Sequence, residues 1–382
     1  MNEEKYICRC EEVTEAEIRQ AIQAGARSVI EIKRWTRAGM GICQGRSCRR
    51  LVERILAEEL NLKPEEVEVS SFRPPVRPVS IQAMEIKEDL MDFGRLMVAM
   101  ATPLKENLEL DIQRAVALAK RLVGEGVDGL VLSGTTGESP TLSRQEKIDL
   151  IVEVKKAVKV PVIGNAGTND TKASIQYALD AEAAGADGLL LVAPYYNKPD
   201  QGMLYDHFAA IANAVKIPSM LYNVPGRTAI TIRPETIVKL SKDVPRICMV
   251  KDAAGVLDDT TVVIRDAAPG FKVYTGEDAL TLPTLAIGGY GVVSVAGHVV
   301  APIMKKMIEA HLAGKVAEAA SLHVQLQAIN RALFLQPNPV PVKMALKLLG
   351  FDVGPLRPPL KDASAEVTAA LSKALADLGL MQ

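Results

Sequence analysis

Residues 217–255, IPSMLYNVPGRTAITIRPETIVKLSKDVPRICMVKDAAG, carry the pattern on which the fold turns. Two short apolar runs, Ile217–Tyr222 and Ile247–Val250, flank a longer stretch, and each run gives way abruptly to polar residues. The alternation extends outward in both directions. Further runs stand at Leu96–Ala101, Gly129–Ser133, Val160–Gly164, Gly188–Ala193, Phe271–Tyr274 and Gly291–Val295, making eight, with starts 20 to 33 residues apart. Short apolar, β-branched runs read as strands buried on both faces, which is the habit of parallel sheets covered by helices. Between them lie amphipathic patterns such as DIQRAVALAKRLVGEG (111–126) and KASIQYALDAEAAGA (172–186), each running into glycine near its end as helices do. Eight strand–helix units predict an α/β fold of the closed (β/α)8 TIM barrel type. An open doubly wound sheet is the alternative, but no G-x-G-x-x-G follows any run, so a dinucleotide site has no support. Beyond Pro302 the pattern stays helical for about 80 residues, too long for one closing helix. A C-terminal helical extension is therefore expected.

The chain has 382 residues, enough for two or three domains. It is 48% hydrophobic and 24% charged, which excludes disorder and collagen-like structure. A formal net charge of −1 argues against global binding to nucleic acid or anionic membrane, and neither is expected as a partner. The N-terminus, MNEEKYICRCEEVTE, has no basic start or apolar core and shows no secretory signal. Ala279–Met304 lacks charged side chains but is interrupted by Pro283, several glycines and Pro302, and reads as a buried helix followed by a buried strand, not a membrane span. A cytoplasmic protein is expected. Phe72–Ser80, with Pro74, Pro75 and Pro78, reads as an extended spacer. The expected organisation is a small cysteine-bearing domain (1–71), a Pro-rich linker (72–93), the barrel (94–301) and the helical extension (302–382).

Four of the five cysteines, Cys8, Cys10, Cys43 and Cys48, lie in the first 50 residues, spaced C-x-C and C-x4-C. Clustered cysteines in a cytosolic chain point to metal or redox chemistry before disulfides. Zinc sites usually show C-x2-C knuckles, which neither pair has. From Arg27 to Arg54 there are eight basic and two acidic residues, a net of +6 that suits the negative charge of a thiolate-bound iron–sulfur cluster. A zinc–tetrathiolate site carries the same −2 as an oxidised [2Fe–2S] cluster, so charge leaves zinc open. The string ICRCEEVT…GARSVIEIKRWTRAGMGICQGRSC resembles the bacterioferritin-associated-ferredoxin-like [2Fe–2S] domain over about residues 5–80. That resemblance implies a small α-helical domain holding a [2Fe–2S] cluster through Cys8, Cys10, Cys43 and Cys48. It also implies, with the +6 segment, an acidic redox partner.

Catalytic groups of such barrels sit at the carboxyl ends of strands. There the sequence places Gly134-Thr135-Thr136-Gly137-Glu138-Ser139, Pro194-Tyr195-Tyr196-Asn197-Lys198-Pro199, Tyr222-Asn223-Val224-Pro225-Gly226-Arg227-Thr228, Lys251, and Gly276-Glu277-Asp278. A lysine ending an apolar strand inside a barrel loses hydration, which favours the neutral amine and makes it a nucleophile. Nearby tyrosines and a threonine would move protons without histidine or metal. No H-x-x-x-H or carboxylate–histidine set appears. Cys248, inside an apolar run, reads as an inert thiol.

TTGES, PYYNKP, YNVPGRT, VKDAAG and the late QPNPVPVK resemble the dihydrodipicolinate synthase family of pyruvate-dependent Schiff-base lyases, from about residue 94 onward. The resemblance implies that Lys251 forms an imine with pyruvate and that Tyr222, Thr135 and Tyr196 form a proton relay, Tyr196 coming from a neighbouring subunit. Thr136 would bind the pyruvate carboxylate and Arg227 the carboxylate of L-aspartate 4-semialdehyde, with Gly276 and Val293 in further substrate-binding places. Because the relay crosses a subunit boundary, the resemblance implies an oligomer, usually a homotetramer built as a dimer of dimers, and a lyase reaction that needs no cofactor beyond the lysine. Three departures stand out. Ala254 replaces a common Thr or Ser, the eighth strand continues as Ser294-Val295-Ala296-Gly297-His298, and Ala173, Arg144 and Lys147 replace the Glu and histidines of lysine-inhibited members. Weak or no inhibition by lysine is therefore expected. Close alternatives are a sugar-acid aldolase or a pyrroline-4-hydroxy-2-carboxylate deaminase. A more distant one is an iron–sulfur electron-transfer or sensor module on a barrel scaffold.

Overall fold

The computed structural model describes residues 5–63, 66–67 and 92–381. These fall into two compact units, one before and one after the proline-rich stretch Phe72–Ser80, which lies outside the described residues.

In the first unit, β1 (Tyr6–Cys8) pairs antiparallel with β2 (Val13–Thr14), and helices Glu15–Gln23, Val29–Thr36 and Arg49–Leu60 follow. Local chemistry starts the first two helices. Thr14 Oγ1 accepts from the Glu17 N–H while the Glu17 carboxylate accepts from the Thr14 N–H, and Ser28 Oγ accepts from the Glu31 N–H. The second helix stops at Arg37, whose φ of 65° is left-handed. Ile18, Ile22, Ile32, Val52, Ile55 and Leu56 form a core belonging to this unit alone. The expected helical module thus gains a short ribbon, which carries Cys8 at the end of its first strand.

The second unit is the barrel. Its strands are β3 (Leu96–Ala99), β4 (Gly129–Leu132), β5 (Val162–Asn165), β6 (Gly188–Val192), β7 (Ser219–Asn223), β8 (Ile247–Asp252), β9 (Lys272–Thr275) and β10 (Gly291–Ser294), one at each of the eight apolar runs. All pair parallel in sequence order, and β10 closes onto β3 with Val292 opposite Leu96. Alternation along a strand splits the side chains: Leu96 and Val98 face the helices, while Met97 and Ala99 fill the interior. Phe93 lies in that interior, and the lack of a side chain makes room for it. A Cβ on Gly188 would stand 3.0 Å from the Phe93 ring, and one on Gly129 would stand 3.0 Å from the Phe93 carbonyl.

Aspartates 111, 170 and 200 and Ser143 each accept an N–H from the first turn of the helix they precede. The charge-free region forms helix Thr281–Ala286 and then β10, as expected. The next helix, Gly297–Leu312, bends at Val300 (φ −132°), so that Pro302 falls in the first turn of its longer part, where a missing N–H does no harm. The expected division between residues 301 and 302 therefore lies at a bend within one helix. Helices Val316–Ala332, Val340–Leu348 and Ala365–Asp377 complete the extension and add Leu326, Ile329, Leu346 and Leu371 to the outer core. Among the described residues no helix is long and apolar enough to cross a membrane.

Candidate active site and cysteine cluster

Strand geometry brings Lys251 and Tyr222 together. They are register partners on β8 and β7, and Tyr274 of β9 stands opposite Lys251 on the other side. On β8, Val250 faces the helices, and Lys251 points into the barrel with only 5% of its surface exposed. Its Nζ lies 4.4 Å from the centroid of the Tyr222 ring. Gly276 supplies the room, since a Cβ there would stand 2.9 Å from Lys251 Cε and 2.7 Å from Ala253 Cβ. The strand end itself is clamped. Asp252 accepts from Asn223 Nδ2 at 3.0 Å, Thr260 Oγ1 at 2.9 Å and the Ala254 N–H at 3.2 Å. Burial pushes the Asp252 carboxyl up, and those donors pull it partly back.

Two more carboxyls follow β9. Burial raises both Glu277 and Asp278; the neighbouring Asp278 charge raises Glu277 further, and the Lys251 charge draws each back. Asp278 is held by the Ser294 hydroxyl and by the N–H groups of Val295 (3.0 Å) and Ala296 (2.9 Å). Arg227, on the single helical turn Pro225–Thr228, is exposed and makes no ion pair among the described residues, and its charge acts on Glu277. Val293 lies within the barrel interior with Tyr222.

After β4, Thr135 is half-buried and Thr136 is 1% exposed. Thr136 Oγ1 accepts from Asn338 Nδ2 at 2.9 Å. Glu138 of the same loop, in left-handed backbone (φ 57°), pairs with Lys343 Nζ at 2.6 Å and accepts the Arg357 N–H at 2.9 Å. Lys343 also donates to the Pro355 carbonyl at 2.8 Å. In the sequence, QPNPVPVK carries a family resemblance and nothing more. That its Asn338 and Lys343 are buried against the TTGES loop emerges from the fold. A buried lysine at helical spacing, with no local acid, is the signal in the sequence that a distant carboxylate must answer it.

Tyr196 is not brought to Lys251 within one chain; it is 90% exposed in left-handed backbone (φ 74°). His298 is fully buried and structural. Its Nε2 accepts the Ala101 N–H at 3.0 Å, so Nδ1 carries the proton and donates to the Val295 carbonyl at 2.8 Å. Burial holds its pKa down at about 4. Cys248 is buried, and desolvation pushes its thiol up to about 11, in keeping with an inert thiol.

In the small unit all four clustered cysteines are free thiols. Cys8 and Cys48 are buried, Cys43 is half-buried and Cys10 is exposed. They contact one another in pairs. The Ser47 N–H and then the Cys10 thiol, both donating to Cys43, lower the Cys43 thiol to about 7. Burial, followed by the contact with Cys8, pushes Cys48 up to about 12. The Gly39 N–H donates to Cys8 Sγ at 3.4 Å, and Gly41 passes so close to Cys10 that a Cβ would stand 2.3 Å from Cys10 Cβ. Among the described residues no three His, Cys, Asp or Glu side chains are disposed around a single metal ion. Four neighbouring thiols, with a backbone N–H directed at one sulfur, are of the chemistry that holds a thiolate-bound metal centre.

Comparison with known proteins agrees on both units. The profile of the Dihydrodipicolinate synthetase family matches residues 92–378, and that of the BFD-like [2Fe-2S] binding domain matches residues 6–58. The chain is 49% identical over 292 residues (76% of this chain, 97% of the relative) to a 4-hydroxy-tetrahydrodipicolinate synthase of Heliobacterium modesticaldum. It is 46% identical over 290 residues (75% and 100%) to one of Bacillus subtilis. Among solved structures, a lysine-bound dihydrodipicolinate synthase of Cyanidioschyzon merolae superposes with a TM-score of 0.75 at 44% identity, covering 76% of this chain and 99% of that one.

Proposed function

This chain belongs to the dihydrodipicolinate synthetase family, and from that premise we propose how its residues share the reaction. The barrel is a 4-hydroxy-tetrahydrodipicolinate synthase, a lyase of the class I aldolase type that condenses pyruvate with L-aspartate 4-semialdehyde. The Lys251 amine adds to the keto carbon of pyruvate and water leaves, giving an imine. A proton departs from the pyruvate methyl carbon, and the resulting enamine attacks the aldehyde carbon of the semialdehyde, whose oxygen takes up a proton. The substrate's own amine then displaces Lys251 from the imine carbon, closing the ring and freeing the enzyme.

Tyr222, against the Lys251 amine, and Thr135 pass the protons, and Tyr196 joins them from a neighbouring copy. Its exposure and left-handed backbone support a role outside its own chain. Members of this family are generally oligomeric, and a homotetramer supplies that neighbour. Thr136 receives the pyruvate carboxylate, Arg227 offers its unpaired fork to the semialdehyde carboxylate, and Val293 forms the apolar wall. Gly276 gives the lysine its space.

The single observation that carries this reading is Lys251 itself, a buried amine at the end of β8 packed against a tyrosine ring. Borohydride trapping with pyruvate, followed by peptide mapping, should label Lys251 and nothing else, and Lys251→Ala should lose both the label and turnover. Labelling elsewhere, or a Lys251→Ala protein as fast as the parent, overturns it. Faster turnover of pyrroline-4-hydroxy-2-carboxylate than of the semialdehyde would favour the deaminase.

In the small domain Cys8, Cys10, Cys43 and Cys48 would hold a [2Fe–2S] cluster, which supplies one-electron chemistry when bound. The condensation moves no electrons. The domain's part is therefore docking of an acidic redox partner or redox sensing, for which the surplus of arginine between Arg27 and Arg54 is the support. Iron and sulfide analysis of the parent and of Cys43→Ser tests the cluster, with zinc in place of iron as the refuting outcome. Identical activity and assembly in oxidised, reduced and Cys43→Ser protein, with no partner retained, would remove both roles.

A further inference from the structure

We propose that Asn338 is a positioning residue that fixes the polarity of the Thr136 hydroxyl, so that it presents its proton to the carboxylate of the bound keto acid. Asn338 lies 202 residues from Thr136, outside every strand-end motif, yet the residue is only 7% exposed and its Nδ2 donates to Thr136 Oγ1 at 2.9 Å. A hydroxyl has one proton to give and can accept from elsewhere at the same time. With Asn338 occupying its acceptor side, the Thr136 proton is left to point away from the amide, and an anionic carboxylate is the partner that needs a donor. Without the amide the rotor is free, and some of its orientations turn a lone pair toward the anion.

The two segments that bring this amide and hydroxyl together are tied to one another. The loop that carries Thr136 is tied to the segment that carries Asn338 by the buried Glu138–Lys343 pair and by the Arg357 N–H on Glu138. The neighbouring Thr102 Oγ1 donates to the Gly137 carbonyl at 2.8 Å, and Gly137 packs so closely that a Cβ would stand 3.0 Å from the Ser133 backbone. The donor therefore arrives at a loop that has no freedom to swing away from it.

The inference rests on Lys251 capturing a keto acid, so the parent must first show Lys251-specific borohydride trapping; its absence there sinks the reading of the site and not this refinement. The test is the pyruvate concentration dependence of trapping and of turnover in Asn338→Ala, Asn338→Asp and Asn338→Gln, with folding checked by thermal melting. Asn338→Asp keeps the shape but only accepts, so it takes the Thr136 proton and faces the substrate with a second negative charge. The pyruvate KM is expected to rise about tenfold or more in Asn338→Ala and further in Asn338→Asp, with kcat and the semialdehyde KM changing far less. In a Thr136→Val background, Asn338→Ala should add nothing, because the hydroxyl it orients is gone. Equal losses in Ala and Asp, parallel changes in the KM of both substrates, or full additivity with Thr136→Val would each overturn the assignment and leave Asn338 a purely structural residue.

Discussion

Replacing Gly276 with alanine tests the geometry of the site without removing any functional group. The added carbon would stand 2.9 Å from Lys251 Cε and 2.7 Å from Ala253 Cβ. Carbon atoms settle at about 3.5 Å or beyond, so the neighbours must retreat by roughly 0.6–0.8 Å. Ala253 resists, because its N–H donates to the Asn223 carbonyl at 2.8 Å, and the Gly276 N–H is itself bonded to the Asp252 carbonyl at 2.6 Å. The flexible lysine therefore gives way and carries its amine off line. A misplacement approaching 1 Å costs on the order of a hundredfold in rate, so a fall in kcat of about 10- to 100-fold is expected. Overpacking adds a loss of about 1–3 kcal/mol in stability, or roughly 2–4 °C of Tm per kcal/mol. The assay is the rate of imine trapping by borohydride beside steady-state turnover, with Gly124→Ala, where a Cβ meets nothing within 4 Å, as the control. A Gly276→Ala enzyme that traps pyruvate and turns over within twofold of the parent would show that the cleft does not define the lysine's position.

Two further outcomes follow from buried groups and from the outer face of the barrel. His298 is neutral when folded, with its pKa held at about 4, below the ordinary histidine value, so the unfolded chain takes up a proton first as pH falls. Its contribution to stability is complete above about pH 6.5 and is lost on the way down to about pH 4. Urea denaturation at pH 6.5 and 4.5 should show the parent losing about 2–3 kcal/mol more than His298→Gln, and equal losses would refute the assignment. Millimolar lysine should leave turnover unchanged, because a cationic ligand would meet the buried Lys147, stacked 4.6 Å over the Tyr177 ring, and Arg144, already paired with Asp180, with Ala173 offering no acid. Strong inhibition would refute that reasoning.

The barrel is legible in the sequence because its signal is repeated eight times and rests on burial on both strand faces, which demands unbroken apolar runs. Lys251 and Tyr222 are legible for a related reason: each ends such a run, and the parallel register that sets them side by side follows from the strand order. The C-terminal contribution is not. Asn338, Lys343 and Arg357 reach the TTGES loop across more than 200 residues, and beyond the acid-free surroundings of Lys343 nothing local to either segment encodes the meeting. Asp252 and Asp278 stand in quoted strand-end stretches but have no assigned part until the fold withdraws them from water and aims Thr260, Asn223, Ser294 and backbone N–H groups at them. Gly276 changes meaning altogether. The resemblance gives it a place among substrate contacts, while packing gives it the task of leaving space.

The tie between the TTGES loop and the segment from Asn338 to Arg357 bears on how this protein is made. A ribosome delivers the chain from its N-terminus, so the nucleophile and the ring of strands emerge well before the residues that brace the loop after β4. Until those later segments clear the exit tunnel, Glu138 has no Lys343 to answer it and Thr136 no Asn338 amide beside it. A nascent chain can thus hold its reactive amine before the residues that brace the loop after β4 have been made.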